Sequence, residues 1–309
     1  MTMVMTIVLI FRSDTITFLC KLEDLLNCTG DQNVQRSPMS LENNLENNLE
    51  NKVAIVVGGG QTQGETIGNG RATAILFARE GARVAVADRD LASAEETVDV
   101  IVAEGHEAFA YELDVRNEDG IEGLVSAVIQ KWGRIDILHN NVGVSIAGQD
   151  ASVEKITPEG FDNMVAINLR SMILTSKHVL PHMRKAGTGV IINISSLAAI
   201  KPFPLIGYKT TKAAVIALTE QLAVSNARYG IRANVILPGL MNTPMAVEGN
   251  VRSGKPREEV IAERDRQVPL GRKMGTAWDI AHAAAFLASD KAGYITGVSL
   301  PVDGGLSVT

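Results

Sequence analysis

The chain has 309 residues, 46% of them hydrophobic, with 29 basic against 35 acidic side chains and a formal net charge of −6. That balance suits one α/β domain of about 250 residues plus an extension, and it speaks against a nucleic-acid partner, since no basic stripe with interleaved aromatics is present. Cys20 and Cys28 are the only cysteines, so the main part of the chain is expected to carry neither disulfide nor thiolate metal site. Cys-x-x-Cys zinc spacing is absent, no metal site is expected, and a reducing, cytoplasmic setting is expected.

Residues 1–50 differ from the rest. Met1–Phe11 is apolar but short, with no basic residue before it and no small-residue cleavage site. It is too short to span a bilayer, and no membrane association is expected. Asn27-Cys28-Thr29 fits a glycosylation sequon without any other sign of secretion. Leu41–Asn51 is a low-complexity repeat with leucine at every fourth position, compatible with a short amphipathic helix or a solvated linker. The expectation is that 1–50 lies outside the fold, with Met39 as an alternative translation start, and that 51–309 forms a single dinucleotide-binding oxidoreductase domain.

From Lys52 onward the pattern alternates. Val53–Val57 is predicted as a strand, then come a glycine-rich turn and a helical stretch, Arg71–Glu80. Arg83–Ala87 reads as a second strand and Leu91–Glu104 as a helix. Glu107–Tyr111, Ile135–His139, Val190–Ser195, Ile231–Leu237 and Val298–Val302 read as further strands. Helical periods at Glu118–Trp132, Glu159–Lys185, Tyr208–Tyr229 and Ala277–Ser289 lie between them. This order predicts an α/β fold of the doubly wound Rossmann type, a seven-stranded parallel sheet with helices on both faces.

The first β–α junction runs from Gly58 through Gly68, Asn69 and Gly70 to Arg71. Glycines there permit a tight turn and bring backbone N–H groups at a helix N-terminus close to a pyrophosphate. Asp88 ends the second strand about twenty residues further on, where a carboxylate accepts from ribose hydroxyls and repels a 2′-phosphate. NAD is therefore favoured, with NADP not excluded because Arg89 follows directly. The alternative for Asp88-Arg89-Asp90 is a helix cap, and both roles can hold.

Tyr208 and Lys212 stand four apart on a predicted helix and share one face. Ser196 lies twelve residues upstream at the end of a strand-like run. A tyrosine of ordinary pKa near ~10 is a poor base, and a neighbouring lysine cation is expected to favour the phenolate. Strand alternation puts Ser195 and Ser196 on opposite sides; Ser196 is the expected participant, with Ser195 as the other candidate.

Together these residues resemble the short-chain dehydrogenase/reductase family, over Lys52 to about Ser307. The resemblance implies that Gly58, Gly68 and Gly70 are the family's pyrophosphate glycines and that Asp114-Val115 contacts the adenine ring. It implies that Asn140, Val142 and Gly143, in a run like Asn-Asn-Ala-Gly, lie along the cofactor. Asn168 would hold a water of a proton relay, and Ser196, Tyr208 and Lys212 would be the catalytic serine, tyrosine and lysine. Pro238, Gly239 and Thr243 would close on the nicotinamide, and Asp303-Gly304-Gly305 matches the usual C-terminal turn.

Three departures stand out. Gly58 and Gly68 are ten positions apart, an insertion of about six residues relative to the family; Glu65 within it is expected to point to solvent. Val142 stands where alanine is customary, and the Ser–Tyr spacing is at the short end. The activity implied is NAD(P)-dependent interconversion of a secondary alcohol and a ketone. The segments expected at the cleft, Val144–Ile146, Leu197–Ala199, Phe203–Leu205 and Leu240-Met241, are mostly apolar, which favours an apolar or alicyclic substrate. A 3-oxoacyl (acyl-carrier) reductase is the alternative, met by arginines of a lid at Met245–Leu270. An inactive NAD-binding regulator and a cofactor-free halohydrin dehalogenase are further ones, the latter disfavoured by Lys212 and the nucleotide glycines. No metal role is expected for His139, His178, His182 or His282; His178 and His182 stand four apart, and surface or core roles suffice for all four. The resemblance also implies a homo-oligomer, dimer or tetramer, paired through the long helices.

Overall fold

Seven short runs of β-branched and small apolar residues line up side by side, all parallel, in the order β3-β2-β1-β4-β5-β6-β7. The computed structural model describes residues 48–309, except for the side chains of 250 and 252. The strands are β1 Val53–Val57, β2 Arg83–Asp88, β3 Ala108–Glu112, β4 Ile137–Asn140, β5 Gly189–Ile194, β6 Ile231–Pro238 and β7 Ser299–Val302. Most lie within one or two residues of their predicted limits. The sequon, Cys20, Cys28, Met39 and the first two leucines of the repeat fall outside the described residues.

Every residue of β1 is buried, as a strand covered on both faces requires. Alternate side chains sort into two cores. Ala54 and Val56 meet α1 (Asn69–Arg79), α2 (Leu91–Ala103) and α9 (Ala277–Ala288). Val53, Ile55 and Val57 face α3 (Glu118–Trp132), α5 (Ser171–Ala186) and α6 (Ile206–Asn226). Local chemistry sets the helix ends. Asn117 accepts from the Asp119 N–H to open α3, and Gly133 closes it at φ 74°. Thr276 and Asp279 form a reciprocal cap on α9.

Three expectations change. The long helix predicted over Glu159–Lys185 is interrupted: α4 (Pro158–Val165) passes into a π turn at Ala166–Arg170 before α5 begins. The π turn buries Ala166 and the polar Asn168, and a short π-bulge inside a helix has no composition signal of its own. The lid segment folds as two short helices, α7 (Pro244–Arg252) and α8 (Arg257–Asp265). The packed chain also begins before residue 51. Leu49 is fully buried in the core, and Asn48 donates to Glu80 through its side chain at 2.7 Å.

His139 sits within β4 with no solvent exposure and with both ring nitrogens unpartnered, its ring edge-on to Phe77 at 5.9 Å. Burial disfavours the imidazolium and holds its pKa at about 3.

Candidate active site

The strand order reverses between β1 and β4, and the crevice beyond their C-terminal ends is where an open α/β sheet receives a ligand. Gly58 enters this crevice at φ +83°, with no room for a side chain beside Val142. A Cβ on Gly70 would run into the Gly58 carbonyl oxygen, so the start of α1 lies directly on the turn. Asn141 braces the arrangement by donating its side-chain amide to that carbonyl at 3.0 Å. Gly68, the residue before α1, supplies no side-chain cap, and the Thr66 hydroxyl and Asn69 Oδ1 are buried without partners.

Asp88 lies at the tip of β2 and accepts from the Gly60 N–H at 3.0 Å. Asp90, rather than Asp88, caps α2 by accepting from the Ser93 N–H. Asp114 is half-exposed and paired with Arg116 at 2.6 Å, which holds its carboxyl below the usual range; Val115 beside it is buried. Asn140 turns the other way. Its amide donates to Asn193 at 2.9 Å and its carbonyl accepts from Thr175 at 2.9 Å. Asn193 continues to Thr219. The Asn140 side chain therefore ties β4 to β5 inside the protein and is not free to meet a ligand, whereas Asn141 reaches the turn.

An uncapped helix start, glycines that admit close approach, unpartnered buried polar atoms and an acceptor at the tip of β2 together fit a dinucleotide.

On the other side of the crevice, Ser195 and Ser196 part company. The Ser195 hydroxyl is buried and donates to the Lys212 carbonyl at 2.7 Å. Ser196 caps the short turn Leu197–Ala199, and its hydroxyl is the neighbour that favours the Tyr208 phenolate. Tyr208 and Lys212 project from the first turns of α6, with the Lys212 ammonium 5.8 Å from the centre of the Tyr208 ring. Asn168, within the π turn, is held at both ends by Val144: its Oδ1 accepts from the Val144 N–H at 2.8 Å and its Nδ2 donates to the Val144 carbonyl at 2.9 Å. Gly143 lies against the Lys212 ammonium, where a Cβ would come within 2.8 Å. Pro238 ends β6, Gly239 packs too tightly on Asp303 for a side chain, and Thr243 is buried just before α7.

A family model described as enoyl-(acyl carrier protein) reductase matches residues 65–307. The 2,5-dichloro-2,5-cyclohexadiene-1,4-diol dehydrogenase LinX of Sphingobium indicum is 39% identical over 260 residues, 83% of this chain and 96% of that one. Levodione reductase of Leifsonia aquatica is 36% identical over 83% of this chain and 94% of its own. A solved structure of levodione reductase superposes with a TM-score of 0.78, covering 84% of this chain and 99% of that one at 34% identity. A 7α-hydroxysteroid dehydrogenase complexed with NADH and 7-oxo glycochenodeoxycholic acid gives a TM-score of 0.74 at 33% identity, covering 84% of this chain and 96% of that one.

The chain belongs to the short-chain dehydrogenase/reductase family.

As a member of that family it is an NAD(P)-dependent oxidoreductase acting on the CH–OH group, interconverting a secondary alcohol and a ketone. Electrostatically, this dehydrogenase differs from the sequence-based expectation in one respect. Burial raises the Tyr208 phenol and the Ser196 hydrogen bond lowers it only in part, so the net direction is upward. The same burial brings the Lys212 amine down to about 8. Removal from water outweighs the attraction between phenolate and ammonium, because both groups lose hydration together.

The lengthened glycine turn has partners the sequence did not reveal. Glu65 is largely exposed and pairs with Arg257 Nε at 3.1 Å, while Arg257 Nη2 meets both carboxylate oxygens of Glu248 at 2.8 Å. Gly64 packs on Pro244 and Glu248, leaving no space for a Cβ. Of the lid arginines read as possible ligands for an acidic substrate (252, 257, 264 and 266), Arg257 is thus occupied by two carboxylates. Asn141, which braces the glycine turn, and Asp150, whose carboxylate accepts from the Gly207 and Tyr208 N–H groups, are positions that sequence reasoning passed over. Only Asn141 left a trace, as the second asparagine of the Asn140–Gly143 run.

Proposed function

We propose that the enzyme oxidises and regenerates an apolar, alicyclic secondary alcohol with NAD, using Tyr208 as general acid/base. The observation that carries the reading is the convergence of Tyr208, Ser196 and the Lys212 ammonium at the crevice edge, beside Gly143 and Asn168. When bound, the dinucleotide supplies the hydride acceptor or donor. Gly58, Gly68, Asn69 and Gly70 would hold its pyrophosphate, Asp88 its adenosine ribose, and Asp114 and Val115 the adenine. Val142, Gly143, Pro238, Gly239 and Thr243 would flank the nicotinamide half, and Lys212 would bind its ribose.

In the oxidation direction Tyr208 takes the hydroxyl proton of the substrate. The Ser196 hydroxyl donates to the same substrate oxygen and stabilises its developing charge. Lys212 holds positive charge beside the phenolate, and Asn168 anchors the water path by which the proton leaves. Reduction runs the same steps backwards, with Tyr208 giving the proton.

Substrate class is supported by the segments expected at the cleft. Ile146, Ile200, Met245 and Leu270, within or next to the expected cleft and lid segments, are exposed, and the Phe203 ring lies 5.5 Å from that of Tyr208. The relatives named for a cyclohexadienediol, for levodione and for a hydroxysteroid favour a ring. Asp88 supports NAD over NADP, because a second negative charge would face it. The description of the matching family model favours an acyl-carrier substrate as the second reading; pairing of Arg257 with two carboxylates counts against it. Exposed Ile173 on α5 and Val224 on α6 support a homo-oligomer, dimer or tetramer, and the confinement of cysteine to residues 20 and 28 supports a cytoplasmic setting. No helix among the described residues is long and apolar enough to cross a membrane.

The test is turnover of purified protein with NAD and with NADP over a panel of cyclic secondary alcohols and an acyl-carrier 3-hydroxyacyl thioester, with Tyr208→Phe as control. NAD reduction on cyclic alcohols that disappears in Tyr208→Phe is expected. Undiminished turnover in that variant would overturn the tyrosine's role.

A further inference from the structure

The helix that carries Tyr208 begins without a cap of its own. Leu205 occupies the capping position of α6 and has no side-chain acceptor, yet the first N–H groups of a helix need one. Asp150, in the loop that follows β4, supplies it from 58 residues upstream. Its Oδ1 accepts from the Gly207 N–H at 2.8 Å and from the Ala151 N–H at 2.9 Å, and its Oδ2 accepts from the Tyr208 N–H at 2.7 Å. The Ile206 N–H donates to the Ala151 carbonyl at 3.0 Å and extends the seam. Asp150 is only 8% exposed, and its partners among the described residues are these three backbone N–H groups. Gly207 is part of the fit, since a Cβ there would lie 2.8 Å from Oδ1.

We propose that Asp150 is the positioning residue for Tyr208: it locks the first turn of α6 to the loop after β4, and its charge there sets the pH at which the phenol loses its proton. The inference rests on the assignment of Tyr208 as general acid/base. A helix N-terminus is electropositive and favours a nearby anion. A buried carboxylate on that terminus offsets the effect and so opposes the phenolate. The other groups facing Tyr208 are the Lys212 ammonium on its own helix, the Ser196 hydroxyl and the Phe203 ring. Only the first of these carries a charge. Asp150 and Lys212 therefore act in opposite senses on one hydroxyl.

The experiment titrates phenolate absorbance of the whole protein without substrate. Subtracting the curve of Tyr208→Phe isolates Tyr208 from Tyr111, Tyr229 and Tyr294. The same pair of curves is measured with Asp150→Asn added, and with Asp150→Ser, an uncharged capping residue, read in its place if the asparagine variant does not fold. The expected result is a Tyr208 midpoint about half a pH unit lower in the uncharged variant, restored by Asp150→Glu. The pH profile of kcat/KM should move with it, and kcat should fall with little change in NADH affinity. An unmoved midpoint in a folded, uncharged variant overturns the proposal. Persistent turnover in Tyr208→Phe would instead sink the role of the tyrosine, and the titration alone would then decide whether Asp150 tunes the phenol.

Discussion

The Lys212 ammonium donates to the Ile194 carbonyl at 2.8 Å from inside the protein. A lysine so placed has surrendered its hydration, which is why its pKa is brought down to about 8 from 10.5. The unfolded chain binds the proton more tightly than the folded one between those values. Stability therefore falls as pH drops from about 10.5 to 8 and is level below, a deficit of about 3 kcal/mol. Lys212→Met is expected to raise the stability of the cofactor-free protein at neutral pH by about 2 kcal/mol once the lost hydrogen bond is allowed for, while turnover collapses. Denaturant melts beside assays check both halves.

Tyr208→Phe keeps the ring that packs on Phe203 and removes only the hydroxyl. Turnover is expected to fall by about 10²–10⁴-fold with NADH binding retained, read by fluorescence titration. Because burial raises the Tyr208 phenol, alcohol oxidation by the wild type should climb toward alkaline pH, and ketone reduction should hold at neutral pH.

Replacing Asp88 with asparagine preserves an acceptor for the Gly60 N–H but removes the charge that a 2′-phosphate would face. The ratio of kcat/KM for NADP to that for NAD should rise about tenfold or more. An unchanged ratio would show that another group sets the preference.

His139 gives a separate test by acid. With a folded-state value of about 3 against 6.5 in the unfolded chain, the unfolded state takes up the proton first. Stability is complete above about pH 6.5 and is lost by about 1.4 kcal/mol for each unit below it, down to about pH 3. His139→Leu should flatten that dependence and leave activity at neutral pH intact, as melting temperatures between pH 4 and 7 will show.

How much of this was legible beforehand depended on whether the chemistry repeats along the chain. The strands and most helices were readable because burial on both sheet faces imposes long apolar runs, and the shared face of Tyr208 and Lys212 follows from the helical period alone. Alternation along a strand also separates Ser195 from Ser196. The π turn around Asn168 left no mark, because helix-forming residues run through it without a break. Asn140 and Asn141 are adjacent and chemically identical, so only the fold reveals that one ties strands together and the other braces the turn. Asp150 is a lone acid in a loop, far from the helix it caps. The effect of Lys212 on Tyr208 was misjudged for a different reason: sequence indicates which charges are neighbours but not how much water they lose.

The clasp of Glu65, Arg257 and Glu248 makes the lengthened glycine turn and the lid a single mechanical unit. Trimming the turn to the ordinary family length would delete one carboxylate from the guanidinium and strip Gly64 from its seat on Pro244. Exchanging α7 and α8 with those of a relative would strand Glu65 instead. Chimaeras built to change substrate preference should therefore transplant both segments together, since either alone carries only half of the joint.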